Sequence, residues 1–201
     1  MRFQKGQRNM YKKIIGITGK SGSGKSTVAK KIDELMPNSE VIEVDSIGHD
    51  ALCRPNILEG LIKTFGNEIL DETGNVDRKK LGNIVFAERE KMEELANATY
   101  VYISETIAKI IDEAQGAVIL DWILLPQDPA WQKCDLKILI ETDLQTRKEK
   151  VILRDHIPES YFDARETTSI DYDKSQFDLI FSNDYSLDTL DSIAQAISSA
   201  M

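Results

Sequence analysis

The chain carries the run Lys12-Lys13-Ile14-Ile15-Gly16-Ile17-Thr18 directly before Gly19-Lys20-Ser21-Gly22-Ser23-Gly24-Lys25-Ser26. The first run is rich in β-branched residues and predicts a buried strand. The second matches the spacing G-x-x-x-x-G-K-S/T of a phosphate-binding loop. A helical pattern follows from about Ser26 to Met36, where Pro37 ends it. A strand, a glycine-rich loop and a helix in this order predict a nucleotide site, with a loop that binds no ligand as the alternative.

The residue types of the loop fit the chemistry of a nucleoside triphosphate. Glycines allow the backbone to close around phosphate, and successive N–H groups then point inward. Lys25 can place a cation on the β- and γ-phosphates, and the Ser26 hydroxyl suits Mg²⁺. We therefore expect the residues from Gly19 to Thr27 to bind ATP, Ser26 to bind the metal ion and Lys25 to take part in catalysis.

Further strand patterns alternate with helical ones along the chain. They lie at residues 41–45, 117–121, 136–140 and 177–181. Alternation of this kind predicts an α/β protein with three layers, a P-loop fold whose five-stranded parallel sheet has helices on both faces. We predict an N-terminal extension over residues 1–11, a core domain of residues 12–46 and 114–201, a helical insertion over residues 47–113 and a helical lid over about residues 143–175.

Two aspartates close predicted strands. Asp45 ends the second strand and Asp121 ends the third, and ligands of parallel sheets bind at this end of the strands. Asp45 could orient and deprotonate an acceptor hydroxyl, or either Asp45 or Ser46 could cap the next helix. Asp121 follows four apolar residues, so it could hold Mg²⁺ through water, or be a plain strand-end aspartate.

Three arginines lie in the predicted lid. Arg147 and Arg154 are seven residues apart and share a helix face, and Arg165 follows on the next helix. Phosphoryl transfer needs cations around the γ-phosphate and exclusion of water, which such a lid would supply. The alternative is ordinary surface pairing with the nearby acids Glu149, Asp155 and Glu166.

Composition narrows the classes of partner. The net charge of −9 over 201 residues disfavours broad nucleic-acid binding. No apolar run approaches the roughly 18 residues of a membrane span, so no membrane association is expected. The only cysteines are Cys53 and Cys134, which favours a cytoplasmic protein without a disulfide framework. A small-molecule acceptor is the expected partner, and the sequence does not indicate an oligomeric state.

The order of motifs resembles that of the dephospho-CoA kinase family from about Lys12 to Ser199. Beyond the phosphate loop, the resemblance rests on Val41-Ile42-Glu43-Val44-Asp45-Ser46-Ile47-Gly48-His49, Phe65-Gly66, Asp77-Arg78-Lys79-Lys80-Leu81 and Asp178-Leu179-Ile180-Phe181-Ser182-Asn183. It implies transfer of the γ-phosphate of ATP to the ribose 3′-hydroxyl of dephospho-CoA, the last step of coenzyme A biosynthesis. Asp45 would be the general base, and Lys25 and Arg154 would stabilise the transferring phosphoryl group.

The resemblance also implies how the two substrates are divided between residues. Asn183 would lie near the adenine of ATP, and Arg147 would contact the same nucleotide. The insertion would bind the acceptor. The residues expected on the acceptor side are Asp45, His49, Arg78, Asp121 and Arg165.

The sequence departs from the family pattern mainly on the acceptor side. The departures lie at Tyr100-Val101, Ile123, Pro126-Gln127, Ser169 and Asp184-Tyr185. Two alternatives therefore stand beside a dephospho-CoA kinase. One is a related kinase acting on another nucleoside, nucleotide or small alcohol, and the other is a nucleotide-binding regulator without transfer activity.

Overall fold

A computed structural model describes residues 12–167 and 169–200, so the predicted extension over residues 1–11 lies outside the described residues. Its centre is a five-stranded parallel sheet in the order β2-β3-β1-β4-β5. The strands are β1 (Ile14–Thr18), β2 (Glu40–Glu43), β3 (Val118–Asp121), β4 (Leu136–Glu141) and β5 (Leu179–Ser182). The predicted α/β class and parallel sheet are confirmed.

Helices connect the strands and cover the sheet. They are α1 (Lys25–Leu35), α2 (Val44–Leu52), α3 (Pro55–Phe65), α4 (Arg78–Val85), α5 (Arg89–Glu113), α6 (Leu144–Asp155), α7 (Glu159–Thr167) and α8 (Leu187–Ala200). None of the helices in the described residues is both long and apolar enough to cross a membrane.

Two hydrophobic clusters, one on each face of the sheet, join the sheet to the helix layers on either side. Helices α1 and α8 pack on one face of the sheet, where Ile15 and Ile17 of β1 point. Helices α2 and α5 pack on the other face with Trp131, and Ile14 points there. Each fully buried aliphatic side chain contributes about 1.5–3 kcal/mol, so both faces fix the position of β1 and of the loop that follows it.

Gly16 lets the second layer approach the sheet. A Cβ atom there would lie 2.8 Å from the Cys134 Sγ and 3.0 Å from the Trp131 ring. Burial raises the pKa of the Cys134 thiol to about 12, so this thiol behaves as an apolar packing group.

Helices α2, α3 and α4 form a third cluster of their own, which includes Leu61, Phe65 and Leu81. Helix α5 serves both regions: Met92 and Leu95 pack on this third cluster, and Ile103, Ile107 and Ile111 pack on the sheet. The division of the chain into a core, an insertion over residues 47–113 and a lid remains a prediction.

The second strand ends earlier than the sequence predicts. Strand β2 stops at Glu43, and Asp45 lies in the first turn of α2 rather than at a strand end. The reason is that Val44, which is fully buried, packs into the core as part of the helix. The alternative that Asp45 or Ser46 caps this helix is also wrong, since Glu43 occupies the cap position. Asp121 does end β3, as predicted.

Candidate active site

The phosphate loop is held from two sides. A Cβ atom on Gly24 (φ 86°) would lie 2.2 Å from the Asn183 Nδ2, and one on Gly22 (φ 77°) would lie 2.7 Å from Val151 of α6. Only glycine combines these backbone angles with such close neighbours. The loop therefore has one defined path between β1 and α1.

Lys25 opens α1 and is half-buried at the end of the loop. Its Nζ donates to the carbonyl of Lys20 at 3.4 Å. Burial lowers the pKa of Lys25, the carboxylates of Asp121 and Asp45 partly offset this, and the arginines of the lid lower the pKa further. A bound polyanion would add negative charge where these cations meet.

Ser26 and Asp121 meet at the carboxyl end of the sheet. The Ser26 hydroxyl donates to the Asp121 Oδ2 at 2.5 Å, and Asp121 is only 5% exposed. Burial raises the pKa of Asp121, the Lys25 charge and the Ser26 hydrogen bond lower it, and the nearby Asp45 and Glu43 raise it again. Within residues 12–167 and 169–200, no cluster of three or more His, Cys, Asp or Glu has a metal-binding arrangement. The hydroxyl and carboxylate are nevertheless oxygen donors of the kind that Mg²⁺ takes alongside phosphate oxygens.

Helix α2 presents Asp45 and His49 one turn apart on an exposed surface. Asp45 interacts electrostatically with Lys25, so α2 brings a carboxylate to the phosphate loop. The His49 Nδ1 lies 2.8 Å from a terminal nitrogen of Arg78, in the first turn of α4. Burial and the Arg78 charge lower the pKa of His49, so its neutral ring accepts this hydrogen bond. The structure thus brings three of the predicted acceptor-side residues together.

The three arginines of the predicted lid occupy different environments. Arg147 is 5% exposed and forms a bidentate pair with Glu166 at 2.8 and 2.9 Å. Arg154 is exposed and pairs with Asp155, whose hydrogen bonds raise the pKa of the Arg154 guanidinium. Arg165 donates to Asp155 at 3.3 Å and lies 5.0 Å over the Phe86 ring. Of the acids named as possible surface partners, Asp155 and Glu166 do pair with these arginines, but the Arg147 pair is buried and Glu149 accepts from Gln145 instead. Arg147 and Arg154 also act electrostatically on Lys25.

A cavity of about 260 Å³ opens beside the loop. Its walls are Gly22, Gly24, Lys25, Ser26, Thr27, Lys150, Arg154 and Tyr185. The Lys150 ammonium lies 4.6 Å from the centre of the Tyr185 ring, and the Tyr185 hydroxyl donates to the Gly22 carbonyl. The cavity combines a glycine-rich wall with three cations, which suits the phosphates of a nucleotide.

Asn183 braces the loop. The Asn183 side-chain amide donates to the Ser23 backbone carbonyl at 2.9 Å, and the Asn183 backbone carbonyl accepts from the Thr142 hydroxyl at 2.7 Å. Asn183 is 1% exposed, so this contact fixes the distance between the loop and the end of β5. Its expected place near an adenine ring stays a prediction.

Four residues contact the site although the sequence predicted no place for them in it. Tyr185 and Lys150 line the cavity, and Glu166 holds Arg147. The Tyr172 hydroxyl donates to the Ile123 carbonyl at 2.9 Å and accepts from the hydroxyl of Thr18 at the end of β1. Burial raises the pKa of Tyr172 to about 12. All four lie in the C-terminal part of the chain, far in sequence from the loop, and only the fold shows that they converge on it.

The family model and the relatives found by sequence name one family. The sequence model described as "Dephospho-CoA kinase" matches residues 13–189. A dephospho-CoA kinase from Fusobacterium nucleatum is 36% identical over 145 residues, which are 72% of this chain and 74% of that protein. The solved dephospho-CoA kinase from Campylobacter jejuni superposes with a TM-score of 0.59 at 25% identity, over 94% of this chain and 97% of that one. A solved Thermus thermophilus protein gives a TM-score of 0.74 at 25% identity, over 95% and 98%.

Proposed function

The chain belongs to the dephospho-CoA kinase family, and from this premise we propose that it transfers the γ-phosphate of ATP to the ribose 3′-hydroxyl of dephospho-CoA. One observation carries the proposal: Lys25, Ser26, Lys150 and Arg154 line one cavity beside the phosphate loop. Cations for a transferring phosphoryl group therefore share one site, and the Asp45 carboxylate is near enough to influence the charge of Lys25.

The proposed site of the phosphate donor, ATP, is the cavity beside the loop. The triphosphate lies against the N–H groups of the loop and the first turn of α1, with Lys25 on its β- and γ-phosphates. Arg154 and Lys150 add charge from α6 across the cavity. Preorganised cations of this kind stabilise the charge that develops as the γ-phosphoryl group leaves ADP.

The Ser26 hydroxyl and the Asp121 carboxylate are the residues that would hold Mg²⁺ with the nucleotide. Both are oxygen donors, they lie in contact, and Asp121 is buried at a strand end next to the loop. The ion would neutralise charge on the phosphate oxygens when it is bound.

Asp45 is the general base in this proposal. Its carboxylate takes the proton of the 3′-hydroxyl as that oxygen bonds to the γ-phosphorus, and the bond from the γ-phosphorus to the bridging oxygen of ADP breaks. His49 lies on the same face of α2 and is held by Arg78, so this pair would orient the acceptor next to Asp45. Helices α6 and α7 would cover the reacting groups and exclude water.

An acceptor panel tests the function. Purified protein with Mg-ATP receives dephospho-CoA, adenosine, AMP, pantetheine or gluconate, and each product is identified by mass. The proposal expects a phosphorylated product from dephospho-CoA at a catalytic rate. Rapid transfer to another acceptor alone would instead indicate a different kinase. Tight ATP binding without transfer to any acceptor would indicate a regulator.

A further inference from the structure

Glu166 joins the lid to the phosphate loop. It lies near the end of α7, and its carboxylate accepts hydrogen bonds from both terminal nitrogens of Arg147 on α6 and, at 3.2 Å, from the Lys20 Nζ of the loop. Arg147 also donates to the Ser21 carbonyl of the loop at 3.2 Å. A single carboxylate therefore connects two lid helices with the loop that is expected to bind phosphate.

The contact is built from enclosed groups. Arg147 is 5% exposed, and the side chains of Lys20 and Glu166 are 27% and 23% exposed. Removing the carboxylate would destabilise the protein, because the buried Arg147 guanidinium would then be an uncompensated charge. Burial raises the pKa of Glu166, but the hydrogen bonds from Arg147 and Lys20 lower it overall, so this carboxylate is ionised at neutral pH.

Glu166 leaves Arg147 able to bind an anion. A guanidinium has five N–H donors in a planar fork, and the bonds to Glu166 and Ser21 use three of them. Arg147 also lies close enough to Lys25 to lower the pKa of that lysine. The bidentate pair fixes the plane of the guanidinium, so its remaining N–H groups are the ones that would meet a phosphate oxygen in the role proposed below.

The chain after α7 continues along the loop. Asp171 pairs with the Lys20 Nζ at 3.2 Å, and the Tyr172 hydroxyl contacts Thr18 immediately before the loop. Glu166 is therefore the first of three successive anchors between the returning lid segment and residues 18–20. Of these three, Glu166 is the one that also holds a lid arginine.

We propose that Glu166 is a positioning residue for the donor nucleotide, because it holds Arg147 and Lys20 in the geometry that meets the phosphates of ATP. Lid placement and phosphate binding then depend on the same carboxylate. This inference rests on the proposed function, since it assigns Glu166 to the ATP side of that reaction.

The same two helices offer a matched control. Lys148 of α6 pairs with Glu159 and with Asp163 of α7, and both acids are well exposed, at 69% and 57%. Glu159→Gln removes a carboxylate that joins α6 to α7, as Glu166→Gln does, but an exposed pair of this kind contributes little. This control shows what the loss of an α6–α7 ion pair costs when that pair does not reach the phosphate loop. A general loosening of the two helices in Glu166→Gln would change the constants for both substrates, whereas a positioning role changes those for ATP.

Steady-state kinetics with each substrate varied in turn test the proposal. We expect Glu166→Gln to lower kcat/KM for ATP by about 10²-fold, the usual cost of a misplaced substrate-binding group. The KM for the acceptor should stay within about twofold of wild type, and Glu166→Asp should recover part of the loss. Glu159→Gln should keep both constants. Unchanged ATP constants in Glu166→Gln, or an equal loss in Glu159→Gln, would overturn the proposal.

Direct ATP titration separates this inference from the proposed function. If the wild-type protein makes no product from dephospho-CoA, the function fails, but weaker ATP binding by Glu166→Gln than by Glu159→Gln still supports the role of Glu166. Circular dichroism shows whether each variant is folded. If Glu166→Gln does not fold, Glu166→Asp carries the test: reduced ATP affinity supports the proposal, and wild-type affinity overturns it.

Discussion

The donor and acceptor halves of the proposed site are built differently. On the donor half, the phosphate loop is held by Asn183 at one side and by α6 at the other, and a buried arginine bonds its backbone. On the acceptor half, Asp45, His49 and Arg78 stand on exposed helix surfaces. A triphosphate has one recurring shape, so a loop that is already in the binding conformation lowers the free-energy cost of binding it. The acceptor would itself cover the side chains that contact it, so these side chains are exposed in its absence. Substitutions in the two halves should therefore affect different kinetic constants.

The largest effect is expected where the two halves meet, at Asp45. Asp45→Ala should reduce turnover by about 10²–10⁴-fold, the range for a lost general base, while ATP affinity stays close to wild type. Single-turnover assays and ATP titration measure the two quantities. Asp50→Ala, on the same exposed helix, serves as the control and should retain activity. Wild-type turnover in Asp45→Ala would exclude Asp45 as the base.

Lys25→Ala tests the donor half alone. Loss of its charge should cost about 10²–10³-fold in turnover, as for other preorganised electrostatic groups, and should also weaken ATP binding. The same assays apply, with Lys31→Ala as the control, because Lys31 of α1 pairs with Asp191 of α8. Full ATP affinity in the Lys25→Ala protein would contradict the placement of phosphate at this lysine.

Arg78→Ala tests the acceptor half alone. It removes the partner of His49, and a charged hydrogen bond of about 1.5–3 kcal/mol predicts a KM for the acceptor roughly tenfold or more higher. The KM for ATP should not change. Lys79→Ala, the next residue of α4, is the control. An increase in the KM for ATP instead would place Arg78 on the donor side.

The smallest effect is expected at the edge of the cavity. Tyr185→Phe removes the hydroxyl that donates to the Gly22 carbonyl, which should cost about 1 kcal/mol, or roughly fivefold in ATP affinity. Tyr100→Phe on the exposed surface of α5 is the control, and titration of both variants with ATP is the measurement. Equal affinities for the two variants would show that this hydrogen bond does not shape the cavity.

The donor half was the more predictable from sequence, because its loop, its preceding strand and its following helix are contiguous. The family, the fold class and Asp121 at the end of β3 are confirmed. The strand end predicted at Asp45 is wrong, since burial of Val44 in the helix layer decides where β2 stops.

The contacts that sequence reasoning missed are those that join residues far apart in the chain. Glu166 and Tyr172 reach the loop from about 150 residues further along the chain. Their residue types are common on any charged helix or loop, so no spacing rule singles them out. Tyr185 has a positive φ of 66°, which a sequence of ordinary residues does not reveal. The catalytic and binding roles of the predicted site residues remain predictions.

The most direct test follows the γ-phosphate itself. ATP labelled with ¹⁸O in its γ-phosphoryl group is incubated with Mg²⁺, dephospho-CoA and the wild-type or Asp45→Ala protein, and fragmentation mass spectrometry locates the label. We predict a labelled phosphate on the ribose 3′-oxygen of the product with the wild-type protein, and its near absence with Asp45→Ala. Label found only in inorganic phosphate, or at another position of the acceptor, would contradict the proposed transfer.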